Sequence, residues 1–130
     1  MSAAANRELM QAVFAELAVG NGAPFRACLS DDVCWHVLGS TRWSRTYRGK
    51  PAVVDELLKP LFARFADRYT CTARRILADG DHVVIECDGR VATREGRRYD
   101  NRYCWVCRFA DGRLVELTEY MDTALLEAVL

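Results

Sequence analysis

The stretch Arg97–Phe109 limits the fold more than any other part of the chain. Side chains alternate across an extended strand, so Tyr99, Asn101, Tyr103, Trp105, Cys107 and Phe109 share one face. Arg98, Asp100, Arg102, Cys104, Val106 and Arg108 share the other. An aromatic face of this kind must be covered, and the flanking sequence offers partners. Strand-like runs at Tyr69–Leu77, His82–Thr93 and Arg113–Met121 are divided by Asp79-Gly80-Asp81, Glu95-Gly96 and Asp111-Gly112. Glycine-bearing turns between such runs predict a meandering antiparallel sheet.

Register decides which side chains meet. A three-residue loop at Arg94-Glu95-Gly96 pairs Thr93 with Arg97, Cys87 with Tyr103 and Ile85 with Trp105. The same loop type at Ala110-Asp111-Gly112 pairs Phe109 with Arg113, Trp105 with Leu117, Tyr103 with Glu119 and Asn101 with Met121. A two-residue loop there would set apolar residues against the wrong face.

The N-terminal half reads as three helices around one strand. Leu9, Val13, Phe14 and Leu17 recur at helical spacing until Gly20-Asn21-Gly22 stops them. Pro24 opens a short second helix through Phe25 and Leu29. Ser30-Asp31-Asp32 breaks it, and Val33–Leu38 reads as a strand. Residues 39–49 read as a loop. Pro51 opens a third helix, apolar at Val54, Leu57, Leu58, Leu61, Phe62 and Phe65, where Pro60 predicts a kink or break. Asp122 can cap a short C-terminal helix, Thr123–Val129.

At 130 residues the chain is expected to form a single domain, 1–130. Eighteen Lys and Arg balance eighteen Asp and Glu, so no net field draws the chain to nucleic acid or a membrane surface. Without an apolar span or a leader pattern at Met1–Glu8, the expected location is cytoplasmic. The six cysteines are then expected as thiols. Cys104 and Cys107 have the spacing of a metal pair, but residues three apart on a strand diverge, so no metal and no cofactor are expected.

Four segments carry a family resemblance: Asp32-Val33-Cys34-Trp35-His36-Val37-Leu38-Gly39, Thr46-Tyr47-Arg48-Gly49-Lys50-Pro51-Ala52-Val53, Gly96–Tyr103 and Asp111–Thr123. Their order and spacing resemble the nuclear transport factor 2-like superfamily, and the last looks most like its SnoaL-like branch. The resemblance implies an α+β fold: a cone-shaped, curved antiparallel sheet wrapped by three N-terminal helices, with a short C-terminal helix. The superfamily includes ketosteroid isomerase, limonene epoxide hydrolase, polyketide cyclases and binding modules without catalysis, so function rests on the pocket residues.

Glu119 and His36 are the candidate catalytic residues. Glu119 lies on the aromatic face, where burial raises a carboxyl pKa toward neutrality; its position resembles that of a catalytic Asp in the hydrolase. His36 follows Trp35 on the first strand, near where the isomerase resemblance places a proton-shuttling carboxylate, and imidazole suits proton transfer. The pair is expected across a pocket, with Tyr103 and Asn101 donating hydrogen bonds to a substrate oxygen. Trp35, Trp43, Tyr47, Tyr69, Trp105, Leu117 and Met121 are candidates to line it, with Trp43 and Tyr47 in a loop that could act as a lid. Each aromatic has core packing as its alternative, and Glu119 and His36 have ordinary buried hydrogen bonding as theirs.

Two departures narrow the chemistry. Where the hydrolase resemblance requires alternating Arg and Asp, this chain has Cys87 and Gly89, or Glu86 and Asp88 one position along. The first helix offers Phe14 and Leu17 but no Tyr for the isomerase oxyanion pair. A proton-transfer enzyme of isomerase, cyclase or lyase type, acting on a small apolar carbonyl compound, remains. The alternative is a non-catalytic binding or dimerisation module. The outer sheet face, with Cys104, Val106, Glu86 and Arg108, is the expected surface for a homodimer.

Overall fold

The computed structural model describes residues 1–130. Its centre is a curved six-stranded sheet in the order β2-β1-β6-β5-β4-β3. The strands are β1 Leu29–Val37, β2 Thr46–Arg48, β3 Thr70–Asp79, β4 His82–Arg90, β5 Arg102–Ala110 and β6 Arg113–Met121. Helices cover one face, and the C-terminal helix Thr123–Val129 is capped by Asp122, whose side chain accepts from the Leu125 amide. No helix is long and apolar enough to cross a membrane.

The β4–β5 register is the expected one, with Cys87 opposite Tyr103 and Ile85 opposite Trp105. The β5–β6 register is not. Ala110 pairs with Arg113 across a two-residue Asp111-Gly112 turn, in which both residues have positive φ, 51° and 75°. That is the backbone a tight hairpin requires, and Asp-Gly tolerates it. The turn would misplace every face, as expected, but a bulge corrects it. Phe109 pairs with Leu114 while Arg108 pairs with Glu116, so Val115 is the extra residue. Beyond the bulge Cys107 faces Leu117, Trp105 faces Glu119 and Tyr103 faces Met121. Glu119 keeps the inner face but sits opposite Trp105, not Tyr103.

β1 differs from expectation in start and direction. It begins at Leu29, and Ser30-Asp31-Asp32, expected as a break, lies within an irregularity between Leu29 and Cys34. It joins β6 in parallel, Trp35 beside Leu117 and Val37 beside Glu119, whereas the other pairings are antiparallel. Part of the expected 39–49 loop is β2, which pairs Trp35 with Tyr47 and His36 with Thr46.

The helix α1, Ala3–Leu17, starts at Ser2, whose hydroxyl accepts from the Ala5 amide. It buries Asn6, Met10, Val13, Phe14 and Leu17. The helix α2, Ala23–Cys28, carries Pro24 in its first turn and buries Phe25. The third helix, α3, passes through Lys50–Ala52, a π-helical stretch Val53–Leu58, and Lys59–Phe62. Pro60 does not break it. Proline lacks an amide and crowds the carbonyl one turn back, and the wider turn before it, with the Lys59 amide bonded to the Val54 carbonyl, makes room.

Candidate functional site

Strand alternation sends Trp35, Tyr103, Trp105 and Glu119 to the concave face, under α1, α2 and α3. They line a cavity of about 590 Å³, within the ~300–1,000 Å³ typical of small-molecule sites. Phe25, Leu57, Leu61, Phe65, Tyr69 and Cys71 complete its apolar wall. The aromatic rings pack in two groups, one around Trp105 and one around Phe65. Trp35 and Trp105 meet edge-on at 5.8 Å between centroids, and Phe25 lies 5.3 Å from Trp105. Phe65 stacks on Tyr69 at 5.7 Å with 12° between planes.

Glu119 is the one carboxylate in this apolar wall, and two indoles hold it. Trp35 Nε1 donates to Oε1 at 3.3 Å, and Trp105 Nε1 donates to Oε2 at 2.8 Å. The residue is 8% exposed. Burial drives its pKa up to about 7, and the two indole bonds only partly oppose the shift. The side chain is therefore poised between charged and neutral near physiological pH. Burial also pushes the Tyr103 hydroxyl well above its ordinary value, so it remains a protonated donor.

His36 is elsewhere. It follows Trp35 on β1 and so faces the opposite side of the sheet, where Nδ1 lies 2.8 Å from Thr46 Oγ1 and Nε2 2.8 Å from Glu116 Oε2. Arg108 Nε donates to the other Glu116 oxygen at 3.2 Å. His36, followed by Arg108, holds the Glu116 carboxyl below its usual range. The expected acid–base pair of His36 and Glu119 is not formed, because the sheet separates them. On the same outer face Glu86 forms an ion pair with Arg75 at 2.9 Å, so within the chain Arg108 pairs with Glu116 and not with Glu86.

The remaining expected lining residues divide by location. Trp35, Tyr69, Tyr103 and Trp105 line the main cavity. Trp43 and Met121 line a separate chamber of about 30 Å³, which shares Leu57, Leu61, Tyr103 and Glu119 with the main one. Asn101 is buried and fully engaged: Nδ2 donates to the Tyr99 hydroxyl at 2.9 Å and the Asp122 carbonyl at 3.1 Å. Its Oδ1 accepts from the amides of Arg102 and Asp122. It fastens the start of β5 to the end of β6 and lines neither chamber. Tyr47 donates to the Trp43 carbonyl at 2.8 Å, and Leu117 is fully buried in the sheet core. The loop expected as a lid is tied down by Thr41 and Ser44, which bond to each other and to the Trp43 amide and Leu38 carbonyl.

Sequence reasoning missed Phe25, Arg26 and Arg68 among the lining residues. It placed Leu57, Leu61 and Phe65 on the apolar stripe of the expected third helix without assigning that stripe a cavity to cover; Phe65 in fact lies beyond the helix end at Phe62, in a bridge to Thr93. The stripe itself was the available signal.

A conical α+β frame with its cavity between helices and sheet defines the class. An NTF2-like protein of unknown function from Burkholderia pseudomallei superposes with a TM-score of 0.81 at 20% identity, over 99% of this chain and 98% of that one. A putative SnoaL-like polyketide cyclase from Jannaschia sp. CCS1 superposes at 0.78 with 16% identity, covering 97% and 91%. An uncharacterized protein of Mycobacterium tuberculosis is 30% identical over 125 residues, 95% of both chains. Residues 10–117 match the SnoaL-like domain family, and the chain belongs to that family.

Proposed function

We propose that the cavity binds a flat, mostly apolar carbonyl compound and that Glu119 transfers a proton on it as a lone acid–base. One observation carries this reading: a buried carboxyl whose pKa is pushed to about 7 lies among the apolar side chains that wall the inner part of the cavity. A base matched to the working pH combines a useful ionised fraction with useful proton affinity. In its ionised form Glu119 would take a proton from the carbon beside the carbonyl. The bonding pair would move onto the oxygen, where the Tyr103 hydroxyl can hydrogen-bond the enolate. The protonated Glu119 would return that proton to a second carbon, or the enolate carbon would attack a second carbonyl to close a ring, with Glu119 passing its proton to the alkoxide so formed. The indole N–H groups of Trp35 and Trp105 keep the carboxyl in place through the cycle. The polyketide cyclase name of one structural relative is compatible with this chemistry.

A second reading has its own support. Both Glu119 oxygens accept indole hydrogen bonds, and the expected histidine partner faces away. A cavity that binds without turnover requires no more. Hydrogen–deuterium exchange separates the two. A set of cyclic ketones such as 2-indanone and 2-tetralone is incubated in D2O, and loss of the α-proton signal is followed by NMR. The wild type is expected to accelerate exchange of at least one ketone that it binds, with Glu119→Gln removing the acceleration and Tyr103→Phe reducing it. Bound ketones exchanging no faster than in buffer would refute proton transfer and leave the binding reading.

A further inference from the structure

The mouth of the cavity carries a charge pattern that the interior does not explain. It is formed by Gly20-Asn21-Gly22, between α1 and α2, together with Arg26, Asp67 and Arg68. Both arginines rest on the same bare loop. A Cβ on Gly20 would lie 2.1 Å from Arg68 Cδ, and one on Gly22 would lie 3.0 Å from Arg26 Nη1. Any larger residue at either glycine would displace the arginine across it. Neither guanidinium has an acidic partner. The single carboxylate at the mouth, Asp67, is already engaged, accepting from the Ala92 amide at 2.8 Å and lying 4.0 Å from Arg98.

We propose that the cavity takes a flat cyclic carboxylate, rings inward and anionic group outward between Arg26 and Arg68. This rests on the cavity being the ligand site. The orientation follows from what stands at each end. The floor holds Glu119, whose ionised form repels an anion, while the walls carry the rings of Phe25, Trp35, Phe65, Tyr69 and Trp105. An apolar slot of this kind rewards ring burial and penalises a charge carried inside. Two unpaired guanidiniums at the rim offer forked donors that match a carboxylate. They also raise the local concentration of anions at a chain whose formal net charge is zero. The two arginines are therefore selectivity residues, and no step of bond making passes through them.

The test uses a matched pair of probes, 2-naphthoate and its uncharged isostere 2-naphthamide, read by quenching of Trp35 and Trp105 fluorescence. The wild type is expected to bind naphthoate about tenfold more tightly than naphthamide at low salt. That preference should shrink as ionic strength rises. Arg26→Ala/Arg68→Ala should abolish the preference while leaving naphthamide affinity within about twofold. The paired Lys variant should keep part of the preference, because it keeps the charge and loses the fork. Equal binding of both probes by the wild type would overturn the inference and leave the cavity as a ligand site. So would equal weakening of both probes in the Ala variant. If neither probe binds, the inference and the ligand-site reading fail together.

Discussion

Replacing Glu119 by Gln tests the environment of the carboxyl without needing a substrate. Burial raises its pKa from 4.5 to about 7, so the folded protein binds that proton far more tightly than the unfolded chain. A tenfold change in proton affinity is worth 1.36 kcal/mol, which makes the ionised side chain cost about 3 kcal/mol of stability at high pH. The sign is fixed by the direction of the shift. Glu119 costs nothing below the unfolded pKa, and its cost grows as pH rises from 4.5 to about 7 and then levels. Gln is permanently neutral, so the stability of Glu119→Gln minus that of the wild type should climb by roughly 2–3 kcal/mol between pH 5 and pH 8. At the acid end the variant should be no more stable than the wild type, because an amide replaces one acceptor with a donor facing an indole N–H. Urea denaturation of both proteins across that range gives the difference directly, and groups that titrate alike in both cancel. A gap independent of pH would show that Glu119 is not desolvated as described, and with it the basis for a base tuned to neutrality would fall.

Other outcomes follow from single contacts. Gly89→Ala would place a Cβ 2.4 Å from the Tyr69 hydroxyl and 2.9 Å from Tyr103 Cε2. This should lower stability by about 1–3 kcal/mol and weaken probe binding by pressing both rings into the cavity, as thermal melting and fluorescence titration would show. His36→Ala should leave naphthamide binding unchanged, since the ring is bonded to Thr46 and Glu116 on the far face; a loss of binding would contradict that placement. We further propose that the outer sheet face joins two copies, because Leu77 and Tyr120 are 54% and 48% exposed there beside half-buried Val84 and Val106. Light scattering after size exclusion should report a dimer, and Val106→Arg a monomer; a monomeric wild type would refute it.

Much of the frame was legible because alternation is a local rule. The aromatic face of β5, the β4–β5 register and the inward Glu119 all follow from counting by twos. The β5–β6 register failed for a physical reason. The Asp-Gly pair satisfies the tight turn locally, and the face mismatch is repaired five residues before Tyr120, at Val115. Nothing in the residue type at Val115 announces a bulge. His36 was a different kind of error. Trp35 and His36 are adjacent on one strand, so alternation itself forbids both from entering one cavity, and only the family resemblance placed them together. The parallel pairing of β1 was illegible because it joins segments about eighty residues apart. Arg26 and Arg68 were missed because they are far apart in sequence and come together only where the Gly20-Asn21-Gly22 loop folds against both.

That distant pairing has a kinetic corollary. The two indoles on Glu119 come from β5, a hairpin neighbour, and from β1, 84 residues away in sequence. The hairpin half of the clamp can form early, while the other half waits for closure of the longest loop in the sheet, which is entropically slow. Trp35 and Trp105 should therefore acquire their final fluorescence at different times during refolding, Trp105 first. An ionised Glu119 would meanwhile hold only one of its two donors. Refolding above neutral pH should be slowed at that last docking step, so the group suited to chemistry in the finished protein is also the one that delays its completion.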